Sequence, residues 1–126
     1  MANSKTYDVV IIGAGISGIG AAIKLIGMGN LDFVVLEKAT DLGGTWRDNT
    51  YPGCECDVPS ALYSYSFHQN PDWSRTFAGQ PEILAYVQDT AAHFGVLPFI
   101  RFNSPVQHAR WIDAQNQWQI DTADTT

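Results

Sequence analysis

The sequence predicts an α/β fold built on a parallel βαβ unit, and three observations carry that reading. An uncharged β-branched run, Tyr7 to Ile12, is closed at once by glycine; a glycine-spaced stretch of helical period follows; a second apolar run, Phe33 to Leu36, then ends in an acid. Short continuous apolar runs bounded by turn residues mark the strands of a parallel sheet, and the helical pattern between them is the crossover.

The elements follow in chain order. "YDVVII" reads as a strand buried on both faces. In "GAGISGIGAAIKLIGMG", Ile16, Ile19, Ala22, Ile23 and Ile26 fall on one helical face and Gly29-Asn30 marks the stop. "DFVVLEK" supplies the second strand. From Asp41 to Phe67 neither period is present; that stretch holds a glycine pair, a Tyr-Pro-Gly turn, both cysteines and a row of aromatics. "GQPEILAYVQDTAAHFGV" restores the helix, with Pro81 in the first turn, Ile83, Leu84, Val87, Ala91 and Phe94 on the apolar face and Gly95 as the stop. "FIRF" reads as a short third parallel strand. Val106 to Asp113 and Trp118 to Asp121 alternate around a polar turn and read as a hairpin. The closing "TADTT" is polar and carries no structural signal.

At 126 residues the chain has room for one domain with a real core. Seven Lys and Arg against thirteen Asp and Glu give a formal charge of -6 with no basic cluster, which excludes a phosphate-backbone partner on electrostatic grounds. The apolar N-terminal stretch is bracketed by Asp8 and Lys24, cut by glycines and too short to span a bilayer, so it is read as neither leader nor anchor. Cys54 and Cys56 make no disulfide framework, and free thiols place the chain in the cytoplasm.

Gly13, Gly15 and Gly18 form G-x-G-x-x-G directly after a strand and at the opening of a helix, the context this motif needs to bind a dinucleotide. The first glycine allows the tight turn, the second lets backbone approach a pyrophosphate, and the third lets helix and strand pack closely. Glu37 stands nineteen residues past Gly18, where a carboxylate accepts from both ribose hydroxyls of an adenosine and repels a 2'-phosphate. The pair suits FAD or NAD rather than NADP. Together these features define a Rossmann-like unit.

"LEKATDLGGTWRDNTYPGCECDVPSALYSYSF" resembles the flavin side of Baeyer-Villiger monooxygenases, the class B flavoprotein monooxygenases, and the resemblance continues through "PDWSRTFAGQPEILAYV" and "RFNSPV". It implies that residues 1–126 are the N-terminal portion of an FAD-binding domain, within an incomplete version of a fold with two dinucleotide-binding domains. The implied activity is NADPH- and O2-dependent oxidation of a ketone to an ester or lactone. The resemblance assigns Ser17 and Glu37 to the pyrophosphate and ribose and the backbone at Val106 to the adenine. Gly43 and Gly44 would pass close to the cofactor, Thr45 and Trp46 would lead to the isoalloxazine, and Tyr63 would share that loop. Lys38, Glu55 and Cys56 join the implied cofactor contacts. Asp57 is the implied catalytic residue, beside flavin and nicotinamide, where it orients a catalytic arginine.

Other readings stand beside these. Asp57 at a turn before Val58-Pro59 fits simple capping. Cys54-x-Cys56 raises a flavin disulfide reductase, but its one-residue spacing closes a strained ring. A zinc site finds only His68 as a nearby third ligand, so no metal is expected; His93 and His108 read as structural. Glu55 stands where many relatives carry a basic residue, which weakens a contact to the NADP phosphate. Neither a second glycine-rich loop for NADPH nor the F-x-G-x-x-x-H fingerprint is present, so the isolated chain is expected to be inactive and, with its first strand left as an open edge, prone to self-association. The alternatives are an N- or S-oxygenating flavin monooxygenase or an inactive FAD-binding module.

Overall fold

A computed structural model describes residues 5–123. The first four residues of the N-terminal stretch and the last three of the polar tail lie outside them. Strand β1 (Val9–Ile12) is followed by helix α1 (Ile16–Gly27), strand β2 (Phe33–Leu36), a one-turn helix α2 (Thr45–Asp48) and helix α3 (Gln80–His93). A 3-10 turn (Leu97–Phe99) leads into β3 (Ile100–Arg101), and β4 (Val106–Ile112) and β5 (Gln117–Thr122) complete the described chain.

β1, β2 and β3 form a parallel sheet in the order β1-β2-β3, with Val9 opposite Phe33 and Ile12 opposite Leu36, then Val35 opposite Ile100. β2 is central and buried along its whole length. β1 departs from the sequence reading, being only half-buried, with Ile12 58% exposed. The reason is position: α1 packs against β1, but among the described residues no strand pairs with its outer edge. β4 and β5 form a separate antiparallel hairpin, as read from their alternation.

α1 lies on β1 and β2 and also packs against α3, with Ile19, Ala22 and Ile23 buried as its period demands. Gly18 makes the crossover tight, since a Cβ there would stand 1.9 Å from the Gly13 carbonyl oxygen. α3 takes its start from Pro81 and buries Ile83, Val87 and Ala91, but it also buries Gln80, Tyr86 and Thr90, which apolar periodicity alone did not assign to the core. Leu84 and Phe94, expected inside, are only partly buried.

Residues 41–79 are largely irregular, as expected, except for α2, which four residues after a glycine pair gave no periodic signal to reveal. This loop is held by polar side chains of α3 and by its own turns. The Gln80 side-chain amide donates to the Trp46 carbonyl, and the Gln80 N–H donates to the Cys54 carbonyl at 2.9 Å. Glu82 accepts from the Ser74 N–H and hydroxyl at 3.0 and 2.7 Å. The Tyr86 hydroxyl accepts from the Tyr65 N–H at 2.9 Å and donates to the His68 carbonyl at 2.7 Å. Ser60 receives the Ala78 N–H at 2.9 Å and donates to the Arg75 carbonyl. Backbone that forms no ladder must find partners elsewhere, and here α3 supplies many of them. No helix among the described residues is long and apolar enough to cross a membrane.

Candidate dinucleotide site

At the C-terminal end of β1 the chain turns through Gly13 to Gly15 into α1. Gly15 is the N-cap, no side chain caps the helix, and no acid lies in its first turn. Helices ordinarily have their first N–H groups satisfied by a cap or by solvent. Here the N–H groups of Gly15, Ile16, Ser17 and Gly18 find no partner among the described residues, so four donors and the positive end of the helix dipole converge on one spot. A Cβ on Gly15 would meet nothing nearer than the Gly44 Cα at 3.7 Å.

Gly44 closes the other side. A Cβ there would stand 3.1 Å from the Gly15 Cα, and its φ of +54 is disfavoured for residues with side chains. Gly43, with φ +123, leaves room for Leu84 and donates its N–H to the Ala14 carbonyl at 2.9 Å. Two glycine turns therefore approach each other backbone to backbone, and side chains at either would fill the space between them. The geometry fits a ligand whose anionic middle lies against main chain.

Glu37 is 7% exposed at the end of β2. One carboxylate oxygen accepts from the Ala14 N–H at 2.9 Å and the other from the Ala39 N–H at 2.8 Å. These bonds offset the cost of burying the charge and tie the end of β2 to the phosphate turn. Each oxygen keeps a second acceptor direction, which suits ribose hydroxyls. The Glu37 carbonyl receives the Ser104 N–H at 2.9 Å, and the Ala39 carbonyl receives that of Asn103, so the chain entering Val106 is drawn to the same end of the sheet. Lys38 and Ser17 are exposed beside these elements.

The aromatic side is built on α2. Trp46 is buried, its indole N–H donates to the Tyr63 hydroxyl at 3.0 Å, and the rings meet edge to face at 5.8 Å. Thr45 is exposed at the helix start. Cys54, Glu55 and Cys56 run antiparallel to Ala78–Gln80, with a bridge between Glu55 and Gly79. Alternate residues of an extended segment share a face, so both cysteines turn inward while Glu55 points out to Arg75 at 3.3 Å. The cysteines are free and buried. The Cys56 Sγ accepts from the Val58 N–H at 3.4 Å and its own N–H donates to Ala78, which leaves main-chain carbonyl as its remaining polar group. Asp57 is exposed, its carboxylate has no hydrogen bond or ion pair among the described residues, and it does not cap the Val58-Pro59 turn. No cluster of His, Cys, Asp and Glu among the described residues has the geometry to hold a metal.

Reading from sequence found the glycines, Glu37, Trp46 and Tyr63 but missed Ser60, Tyr65, Gln80 and Tyr86, which hold the loop in place. Their one signal is a polar or phenolic group on an otherwise apolar helix face, or repeated tyrosines without period.

An open parallel sheet whose first strand runs through a glycine turn into an uncapped helix, with a buried acid at the end of the second strand, defines a dinucleotide-binding module. The chain belongs to the NAD(P)-binding Rossmann-like domain family, whose profile matches residues 11–79. It is 54% identical over 114 residues to a Baeyer-Villiger monooxygenase of Streptomyces coelicolor (strain ATCC BAA-471 / A3(2) / M145), a match covering 90% of this chain and 22% of that protein. It is 53% identical over 116 residues to an FAD-binding monooxygenase of Aspergillus niger (strain ATCC MYA-4892 / CBS 513.88 / FGSC A1513), covering 91% of this chain and 19% of the other. Among solved structures, cyclohexanone monooxygenase in its closed form superposes with a TM-score of 0.89 at 39% identity over 95% of this chain and 23% of that one. OTEMO in complex with FAD and NADP gives 0.88 at 35%, over 98% and 24%. The chain thus matches the N-terminal part of these proteins and spans about a fifth of their length.

Proposed function

We propose that residues 1–126 form one FAD-binding unit that serves as the flavin-holding part of a cytoplasmic Baeyer-Villiger-type monooxygenase, oxidising ketones to esters or lactones with NADPH and O2. One observation carries the reading: four unpartnered N–H groups at the start of α1 face the Gly43-Gly44 turn, beside a buried Glu37. The length and identity of the match to monooxygenases support the choice of FAD over NAD, and the free thiols support a reducing compartment.

In this reading the main-chain donors of Gly15 to Gly18 bind the pyrophosphate, and Glu37 accepts from the ribose while holding the turn in register. Lys38 and the Val106 backbone border the adenosine. Gly43, Gly44, Thr45, Trp46 and Tyr63 form the wall toward the isoalloxazine, with Trp46 and Tyr63 fixing each other. Glu55 and Cys56 sit behind Asp57. Hydride acceptance and oxygen activation are the chemistry that FAD supplies when bound. Asp57, exposed and unpartnered, is the catalytic carboxylate, and its free state leaves it open to a cationic group.

FAD titration of the chain, followed by flavin fluorescence and by circular dichroism, tests the reading. The parent is expected to bind, and Gly15→Val to lose binding with unchanged secondary structure, because its branched side chain would fill the space below Gly44. Equal flavin uptake by both would overturn the assignment of the turn.

A further inference from the structure

We propose that Tyr65 is a positioning residue for the anion-binding turn, a role that rests on the reading of that turn as the FAD site. Tyr65 belongs to the aromatic loop, far from the glycines in sequence, yet its hydroxyl donates to the Ile16 carbonyl in the first turn of α1. Its ring lies on Gly20, where a Cβ would stand 3.1 Å from Tyr65 Cε1, so the absence of a side chain at position 20 lets the phenol reach the helix. The other end is anchored too. The Tyr65 N–H donates to the Tyr86 hydroxyl at 2.9 Å, and the two rings stack at 6.0 Å. α3 grips the loop through Tyr86, and the loop grips α1 through Tyr65.

The partner atom gives this link its meaning. The Ile16 carbonyl and the Ser17 N–H belong to one planar trans peptide group, in which C=O and N–H point in opposite directions. A donor fixed on the carbonyl therefore sets the direction of the Ser17 N–H, one of the four groups left open for the ligand, and polarises it toward the anion. Burial, with Tyr86 and Tyr63 nearby, pushes the Tyr65 phenol well above its usual range, so the hydroxyl remains a donor at any working pH. Tyr65 touches no reacting group. It aims a main-chain donor from behind and makes the order of the aromatic loop and the order of the phosphate turn one event.

Tyr65→Phe keeps the ring on Gly20 and removes the hydroxyl. In the ligand-free chain, the Ser17 amide proton resonance is expected to shift upfield as its peptide group loses polarisation, with melting temperature little changed. FAD and ADP are both expected to bind about five-fold more weakly, the scale set by one hydrogen bond. A merely structural tyrosine would lower the melting temperature without moving the Ser17 resonance. An unmoved resonance overturns the proposal whether or not FAD binds, and a shifted resonance with parental FAD and ADP affinity overturns the positioning role. If neither parent nor Gly15→Val takes up FAD or ADP, the FAD reading falls on its own, and the Ser17 resonance alone decides whether Tyr65 sets that peptide.

Discussion

A single methyl group added at Gly18 should unseat α1, whereas the same methyl at Gly15 should not. At Gly18 the new carbon would stand 1.9 Å from the Gly13 carbonyl oxygen and 3.0 Å from its carbon. Cβ atoms essentially never come closer than 3.0 Å, so the helix must retreat from backbone by the difference, 3.0 − 1.9 = 1.1 Å. Neither partner is a flexible side chain end, and the shift must be absorbed by the α1 packing on β1 and β2. That places Gly18→Ala at or beyond the upper end of overpacking costs, about 3 kcal/mol. At about 4 °C per kcal/mol for a chain of this size, the melting temperature should fall by about 12 °C. Gly15 has φ -83 and ψ -167, which alanine adopts without strain, and the new carbon meets only the Gly44 Cα at 3.7 Å. The entropy gained from restricting the unfolded chain and the poorer N-cap oppose each other, leaving a change within about 1 kcal/mol. Thermal unfolding of the two ligand-free variants by circular dichroism measures both. Equal losses, or a stable Gly18→Ala, would refute the division of labour between the glycines.

Where the chain works within a longer monooxygenase, Asp57→Ala should retain FAD yet lower ketone-dependent NADPH oxidation about a hundredfold or more, the scale of a positioned electrostatic group; unchanged turnover would return Asp57 to a plain surface role. The Ser74 hydroxyl and N–H hold the Glu82 carboxylate below its usual 4.5, so its contribution to stability is present above that value and lost as pH falls through the lower folded one. Glu82→Gln should therefore flatten the acid side of the melting curve between about pH 3 and about pH 5, by a small amount because the group is solvent-screened; parallel curves would refute it. The open edge of β1 should drive self-association, which size-exclusion chromatography with added FAD would show. Ile12→Lys, at an exposed position on that edge, should restore a monomer, and unchanged elution would exclude the edge as the cause.

What could be read from the sequence follows from what hydrophobic pattern encodes. Phe33 to Leu36 is an uninterrupted apolar run, and the strand has those bounds. The hairpin alternates around its turn and was equally legible. β1 has the same composition as β2 but half its burial, because burial depends on which neighbours a strand has and not on its own residues. On α3, Tyr86 and Gln80 are inside for their hydrogen bonds to the loop, a reason that no scale of apolarity records, and Leu84 is partly outside because it lies over Gly43 at the loop's margin. The site divides the same way. Glycine spacing and the acid at the strand end are local features and were found. Tyr65 acts on a residue 49 positions away, through a contact that no local pattern announces.

The fastening of the aromatic loop by α3 sets a timetable for a chain made from its N-terminus. The phosphate turn leaves the ribosome early, but its opposite wall is held by Gln80, Glu82 and Tyr86, and the central strand gains its second neighbour only with Ile100. Until those residues emerge, the glycine turn is a half-built cleft whose donors are spent on water. Cofactor capture is thereby deferred to a late stage of synthesis, when one step closes the sheet and fixes the loop, and flavin supply bears on the nearly finished chain rather than on its first segments.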